Sequence, residues 1–367
     1  MQSKKKSFQD FHSIIKVLKK EKRLWDLYTK KEEYNPLQLD EHGRFLYKWS
    51  NYRDVLKPSL SDYLMNQGFN IDYPDNKKFS IILTHDVDDI YIKPKHLLYS
   101  FYYFPYNKDI FAILNLWKGL IDKKRINYKT FNKIIAIEKK YGAKSTFYFL
   151  GTPFDVFGIK YSLQEFTTEL EDILDGDCEI GFHTGYHSFN NLDEIFQEKK
   201  KMEQLTGKKI IGVRNHVLRF KTPDSWNILA SAGFKYDTSY GYCDMVGFRN
   251  GMCHPFQPFD LNKKKAIDIM EIPLNIQDWT LRMEMRKNFQ KSWDSIKNLI
   301  DITEKYKGVL TILWHSWTFA LPISLGGIFG KEWTELYEKI IKYAVEKKAW
   351  ITNCSDLYRF YTKSGPL

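Results

Sequence analysis

The sequence predicts an α/β protein built on a parallel sheet, open or closed, and two observations carry that expectation. From residue 78 onward, short apolar runs rich in β-formers alternate with helical patterns, the signature of strands joined by helical crossovers. Two clusters of acids and histidines then follow directly on such runs, where parallel α/β sheets hold their chemistry. Thr84-His85-Asp86-Val87-Asp88-Asp89 follows Ser80-Ile81-Ile82-Leu83, and His183-Thr184-Gly185-Tyr186-His187 follows Cys178-Glu179-Ile180-Gly181-Phe182.

Taken in order, residues 1 to about 33 read as one amphipathic helix. Phe8, Phe11, Ile15, Leu18, Trp25 and Tyr28 recur at near-helical spacing with lysines between them, and Asn35-Pro36 ends the pattern. A second short helix near 58–67 precedes Tyr73-Pro74-Asp75, a linker, so residues 1–75 are expected to be a helical extension and 76–367 the main domain. Strands are expected at 80–84, 146–151, 178–183, 211–217, 269–274, 308–315 and 349–353, and helices at about 129–140, 162–174, 191–206, 222–232, 286–306 and 331–347. Thr222 suits the cap of one helix, Pro223 its first position and Gly233 its end. The stretch from Tyr91 to Asn127 interrupts the alternation and carries nine aromatic residues. Insertions beside a site serve as lids or docking surfaces. A helical pair packed on the sheet and a membrane contact are both open readings.

With 367 residues, 43% apolar and 16% aromatic, the chain is long and apolar enough for one large core. Its net charge of +11 is concentrated: residues 1–33 hold ten Lys/Arg against five Asp/Glu, and residues 91–127 hold seven against two. No nucleic-acid-binding pattern accompanies that charge, and basic residues among aromatics suit an anionic membrane surface. The basic start has no apolar stretch of secretory length after it, and no segment reaches the roughly 18 apolar residues of a spanning helix. A cytoplasmic protein, resting at most on the inner face of the membrane, is expected. Cys178, Cys243, Cys253 and Cys354 form neither a disulfide framework nor a zinc pattern. Cys178 is expected in the core, and a crosslink between Cys243 and Cys253 stays open.

Asp86 and Asp88 lie two apart, so on a strand they share a face while Val87 turns into the core. One carboxylate then suits a metal and the other a proton from water. His183 and His187, four apart on a turn or helix start, would bring two imidazoles to one face. Such nitrogen and oxygen donors without thiolate suit Zn, and allow Co, Mn, Ni or Fe. His315 ends the apolar run 308–314 and should enter the same mouth, while Trp279, Trp314 and Trp317 offer flat faces for sugar rings. His85, His216 and His254 are further candidates for substrate contact.

Taken with Ser145-Thr146-Phe147-Tyr148-Phe149-Leu150, Gly212-Val213-Arg214, Gln277-Asp278-Trp279 and Leu313-Trp314-His315, the ordered set resembles the polysaccharide deacetylases, carbohydrate esterase family 4, over roughly residues 77–360. The resemblance implies a deformed, incomplete (β/α) barrel, TIM-like with seven or eight strands, and a metal-dependent hydrolase removing N-acetyl groups from a sugar in a polysaccharide or glycan precursor. The Asp-Val-Asp form looks like the branch in which Asp86 is the base and Asp88 binds metal with His183 and His187. By the same resemblance His315 protonates the leaving amine, Arg214 orients the base and Asp278 sets the proton affinity of His315. The segment Phe248–Phe256 also resembles this branch. Two departures stand out: Arg214-Asn215-His216 lacks the proline usual after that arginine, and Thr84-His85 replaces the commoner Thr-Phe. Another C–N hydrolase, an O-deacetylase and a non-catalytic glycan- or membrane-binding module are the alternatives.

Overall fold

The computed structural model describes residues 6–88, 90, 130–155, 158, 159, 161–320 and 331–363. Asp89 and the basic, aromatic stretch 91–127 lie outside the described residues. The main sheet is built of nine strands, labelled here in chain order: β1 Phe79–Val87, β2 Ser145–Leu150, β3 Glu179–His183, β4 Gly212–Arg214, β5 Tyr236–Asp237, β6 Met270–Glu271, β7 Leu274–Gln277, β8 Val309–Leu313 and β9 Ala349–Thr352. Every pairing in it is parallel, in the order β6-β5-β4-β3-β2-β1-β8-β7, and β9 pairs β1. One edge of β1 is shared: Phe79 to Ile82 face β9, and Leu83 to Val87 face β2.

The sheet curls into an incomplete barrel. Its two outer strands, β6 and β7, are separated in sequence only by Ile272 and Pro273. Glu271 and Leu274, three residues apart, are therefore within about 10 Å, since a chain spans at most ~3.6 Å per residue. The gap beside β7 is filled by a loop, where Gly247 N–H donates to Asn275 O at 2.9 Å and Asn275 Nδ2 donates back to Gly247 O at 3.2 Å. Gly247 has φ +133°, and a Cβ there would meet Val55 O at 2.5 Å, so only glycine lets the extension approach this closely.

Helices cover the outside. In the helix Lys331–Glu346, buried Trp333, Leu336, Tyr337, Ile340, Ile341 and Ala344 recur at the three- and four-residue spacing that makes one apolar stripe. The helix Leu192–Thr206 starts where Asn191 Oδ1 accepts from Asp193 and Glu194 N–H, and ends at Gly207 with φ +64°. The helix Asp224–Ser231 departs from the expected start: Pro223 takes the cap position, and the Thr222 hydroxyl donates to Glu33 Oε2 at 3.0 Å instead. Gly233, with φ +83°, does follow its end.

Residues 8–33 form two helices, Phe11–Leu18 and Lys22–Tyr28, and a short 3-10 turn, because Glu21 between the helices is extended. Phe8, Ile14, Ile15, Leu18 and Tyr28 are buried in the same hydrophobic cluster as the barrel strands. The apolar face of this stretch is thus already covered. Helix Ser59–Asn66 adds Leu60 and Leu64 to that cluster. Glu33 is bound bidentately by Arg249, at 3.0 Å to Nε and 2.8 Å to Nη2, which ties the extension to the loop 240–256. All four cysteines are buried and free. Among the described residues, no helix is long and apolar enough to cross a membrane.

Candidate active site and metal centre

Parallel strands bring their C-terminal ends to one mouth, and the site is assembled there from β1, β3, β4 and β8. Alternation along β1 turns Thr84, Asp86 and Asp88 to the mouth and His85 and Val87 to the helix layer. Val87 is fully buried, as the spacing predicts. Asp86 Oδ1 accepts from Arg214 Nη1 at 2.8 Å; the same nitrogen donates to Thr84 Oγ1 at 2.8 Å, and Arg214 Nε donates to Thr238 O at 3.2 Å. The guanidinium also lies 4.6 Å from the Tyr148 ring centre. Burial disfavours its charge, but the neighbouring Asp86 and Tyr148 outweigh that and raise its pKa. Arg214 is a fixed cation behind Asp86.

Asp88, His183 and His216 form a second group. Their ligand-type atoms all lie within 4.8 Å of one another. His183 Nδ1 is 2.8 Å from Arg214 O, and a carbonyl only accepts, so Nδ1 carries the hydrogen and Nε2 presents a lone pair. That Nε2 lies 3.1 Å from His216 Nδ1, and Asp88 Oδ1 is 3.3 Å from both nitrogens. Asp88 Oδ1 is buried, and among the described residues no donor meets it in good hydrogen-bond geometry. Burial opposes ionisation of Asp88, but His216 and His183 hold its pKa well below 3.8. A hydrogen on His216 Nδ1 or a cation among the three groups relieves the repulsion of lone pairs at such distances, and two imidazoles with one carboxylate are a ligand set suited to a divalent ion.

His187 is not brought to this group. His183 is the last residue of β3, and a short turn separates it from the 3-10 helix Ser188–Asn190, so the expected helical spacing does not operate. The His187 ring is exposed beside Tyr186, with 5.2 Å between ring centres. His216, two residues beyond the end of β4, occupies the third position instead.

His315 lies on the opposite wall. Its Nδ1 is 2.6 Å from Asp278 Oδ1, its backbone N–H donates to Asp278 Oδ2 at 2.9 Å, and its Nε2 is 3.5 Å from Asp88 Oδ2. Burial works against its charge, yet Asp278, then Asp88 and Asp86, raise its pKa to about 9. Trp317 stacks on the ring at 5.0 Å between centres and 27° between planes.

The three tryptophans separate. Trp314 is fully buried against Trp333 and Tyr337, turned from the mouth, so it offers no face to a sugar. Trp317 is buried under His315, and only Trp279 is half-exposed, edge-on to Trp317 at 6.4 Å. His85 is a core residue: Nδ1 lies 2.7 Å from Trp314 O and Nε2 3.0 Å from Glu138 Oε1. His254 is buried under Phe8, 3.5 Å between ring centres, and burial lowers its pKa to about 3. Neither reaches the mouth.

No protein-family model matches the sequence, and no curated protein does. Solved structures do match. A candidate polysaccharide deacetylase from Mycobacterium smegmatis superposes with a TM-score of 0.52 at 15% identity, covering 81% of this chain and 95% of that one. The chain has the polysaccharide deacetylase fold. A peptidoglycan deacetylase from Bacillus subtilis matches at a TM-score of 0.36 and 16% identity, over 79% of this chain and 94% of that one. A carbohydrate esterase family 4 pseudoenzyme from Bacillus anthracis matches at 0.38 and 14%, over 78% and 66%. The fold statement rests on the first of these. On this fold, Asp86, Asp88, His183 and His315 gather at one mouth, with Arg214 and Asp278 directly behind Asp86 and His315.

Proposed function

We propose that the chain is a metal-dependent hydrolase that removes N-acetyl groups from a sugar of a polysaccharide or glycan precursor. The observation that carries this reading is the convergence of Asp88, His183 and His216 between two separately backed groups, Asp86 on Arg214 and His315 on Asp278. Asp88, His183 and His216 would hold a divalent ion, zinc being the first expectation for two imidazoles and a carboxylate. Such an ion, when bound, polarises an acyl carbonyl and lowers the pKa of water. Asp86, hydrogen-bonded to Arg214, is the base that accepts a proton from the attacking water. His315, held by Asp278 with Nε2 toward the mouth, donates a proton to the departing amine, which leaves poorly without one. Amide rather than ester cleavage follows from that acid. The apolar face of residues 8–28 is covered by the barrel, so contact of this stretch with an anionic membrane would rest on the exposed Lys16, Lys19, Lys20, Lys22 and Arg23.

The test is metal content together with acetate release from matched N- and O-acetylated sugars. Asp88→Asn, His183→Ala and His216→Ala are each expected to lose metal, while His187→Ala retains it and Asp86→Asn retains it but loses most activity. Chelation should abolish acetate release and added zinc restore it. Full activity in the chelated protein, or metal lost with His187 and kept without His216, overturns the assignment.

A further inference from the structure

His216 sits on a loop that needs help to hold its shape. Val217 and Leu218, directly after it, both have left-handed backbone, φ +58° and +54°. Neither is glycine, and one is β-branched, so the conformation persists only where the surroundings impose it. Part of that imposition comes from Asn215, whose carbonyl accepts from Leu218 N–H at 3.0 Å and whose Nδ2 donates to Arg219 O at 2.9 Å. The rest comes from a remote part of the chain, residues 40–49 of the N-terminal extension.

Arg44 Nη1 donates to the carbonyl of Val217 at 2.8 Å. Its own direction is fixed by Asp40, whose Oδ2 accepts from Arg44 Nε at 2.8 Å and pairs with Nη2 at 2.7 Å. Arg219 Nε donates to His42 O at 2.9 Å, so the loop is held at both ends. Leu46, Leu218 and Leu313, the last of them two residues before His315, belong to one buried hydrophobic cluster. The far side of the segment is anchored where Asp244 accepts from Tyr47 and Lys48 N–H at 2.8 and 3.2 Å.

We propose that residues 40–49 brace the metal centre, with Arg44 as the positioning residue that holds His216 in ligating position. This rests on the reading of His216 as a ligand. Arg44 touches neither substrate nor reacting atoms; it acts through the Val217 carbonyl on the residue before it. The extension therefore belongs to the site as much as the strands do.

The experiment measures the dissociation constant of zinc by competition with a chromogenic chelator, and the urea midpoint of the metal-free protein. Arg44→Met keeps the side-chain stem and removes the charge-assisted bond, and is expected to weaken zinc about tenfold. Arg53→Met is the control: its guanidinium bonds Tyr47 O and Lys48 O on the same segment at 3.1 and 3.0 Å but not the His216 loop, and it should leave zinc affinity unchanged. Should Arg44→Met fail to fold, Asp40→Asn, which frees the Arg44 direction, is expected to weaken zinc by a smaller factor. Unchanged affinity in Arg44→Met, or equal weakening in Arg53→Met, overturns the brace. His216→Ala separates the two claims: wild-type affinity there overturns both, whereas lost affinity there with an intact Arg44 variant overturns the brace alone.

Discussion

His315 is held protonated by Asp278, and the sign of the resulting pH dependence is fixed. Its pKa is raised from 6.5 to about 9, so in the metal-free protein the pair stabilises the fold fully below about 6.5 and loses that contribution as pH rises through 9. A divalent cation beside Asp88 offsets part of the rise, so the basic limb of kcat in the loaded enzyme should fall below 9. Asp278→Asn removes the principal raising charge, and the limb should then move further toward acid. A pH–rate profile on an N-acetylated sugar measures this; a limb that stays in place in Asp278→Asn assigns the acid to another group. Asp86, Asp88, His183 and His315 were legible in the sequence because each stands at or just beyond an apolar run, whereas Arg214 and Asp278 were legible only through the family resemblance. His216 stands in the same relation to β4, two residues past its end, and that placement was the available signal. The four-residue spacing of His183 and His187 outweighed it, and in this structure the turn after His183 leaves the His187 ring exposed.

At the scale of elements, most strands and helices after residue 78 lie close to where the sequence placed them, whereas the shortest strands and the N-terminal helix do not. β5 has two residues, too few to show alternation, and 269–274 divides into β6 and β7 around Pro273, which cannot donate to a ladder. The helix expected over 1–33 breaks at Glu21, where wrapping the barrel takes precedence over helical continuity. Thr222 lost its capping role to Glu33, a partner 189 positions away that no local pattern contains. Glu33 also accepts from Nε and Nη2 of buried Arg249, and cutting a buried pair leaves an uncompensated charge. Arg249→Met is therefore expected to cost about 3–5 kcal/mol in urea unfolding. A loss under ~1 kcal/mol would mean that the pair is solvated in solution, like an exposed one.

For the molecule as a whole, the sequence indicates a boundary at 75, since its patterns before that residue read as helical and strand runs are read only after it. The packing runs across that line: Phe8, Leu18, Tyr28 and Leu60 share one apolar cluster with β1, β2 and β8. Sequence patterns report which face of an element is apolar but not which neighbour covers it, so the partnership was invisible. The full chain is expected to unfold in a single calorimetric transition with matching calorimetric and van't Hoff enthalpies. Residues 76–367 alone should show no cooperative transition. Two separated transitions in the full chain would make the extension an independent unit.

The sheet that never closes has a further consequence for life at high concentration. Exposed strand edges recruit neighbouring chains, and barrels ordinarily escape this by sealing their seam with hydrogen bonds. Here the seam is left unsealed, yet its two lips are only two and four residues long, are tethered to each other by Ile272-Pro273, and carry the Gly247–Asn275 exchange along one side. Along this seam, neither lip offers a second molecule more than four residues of strand backbone on which to template itself.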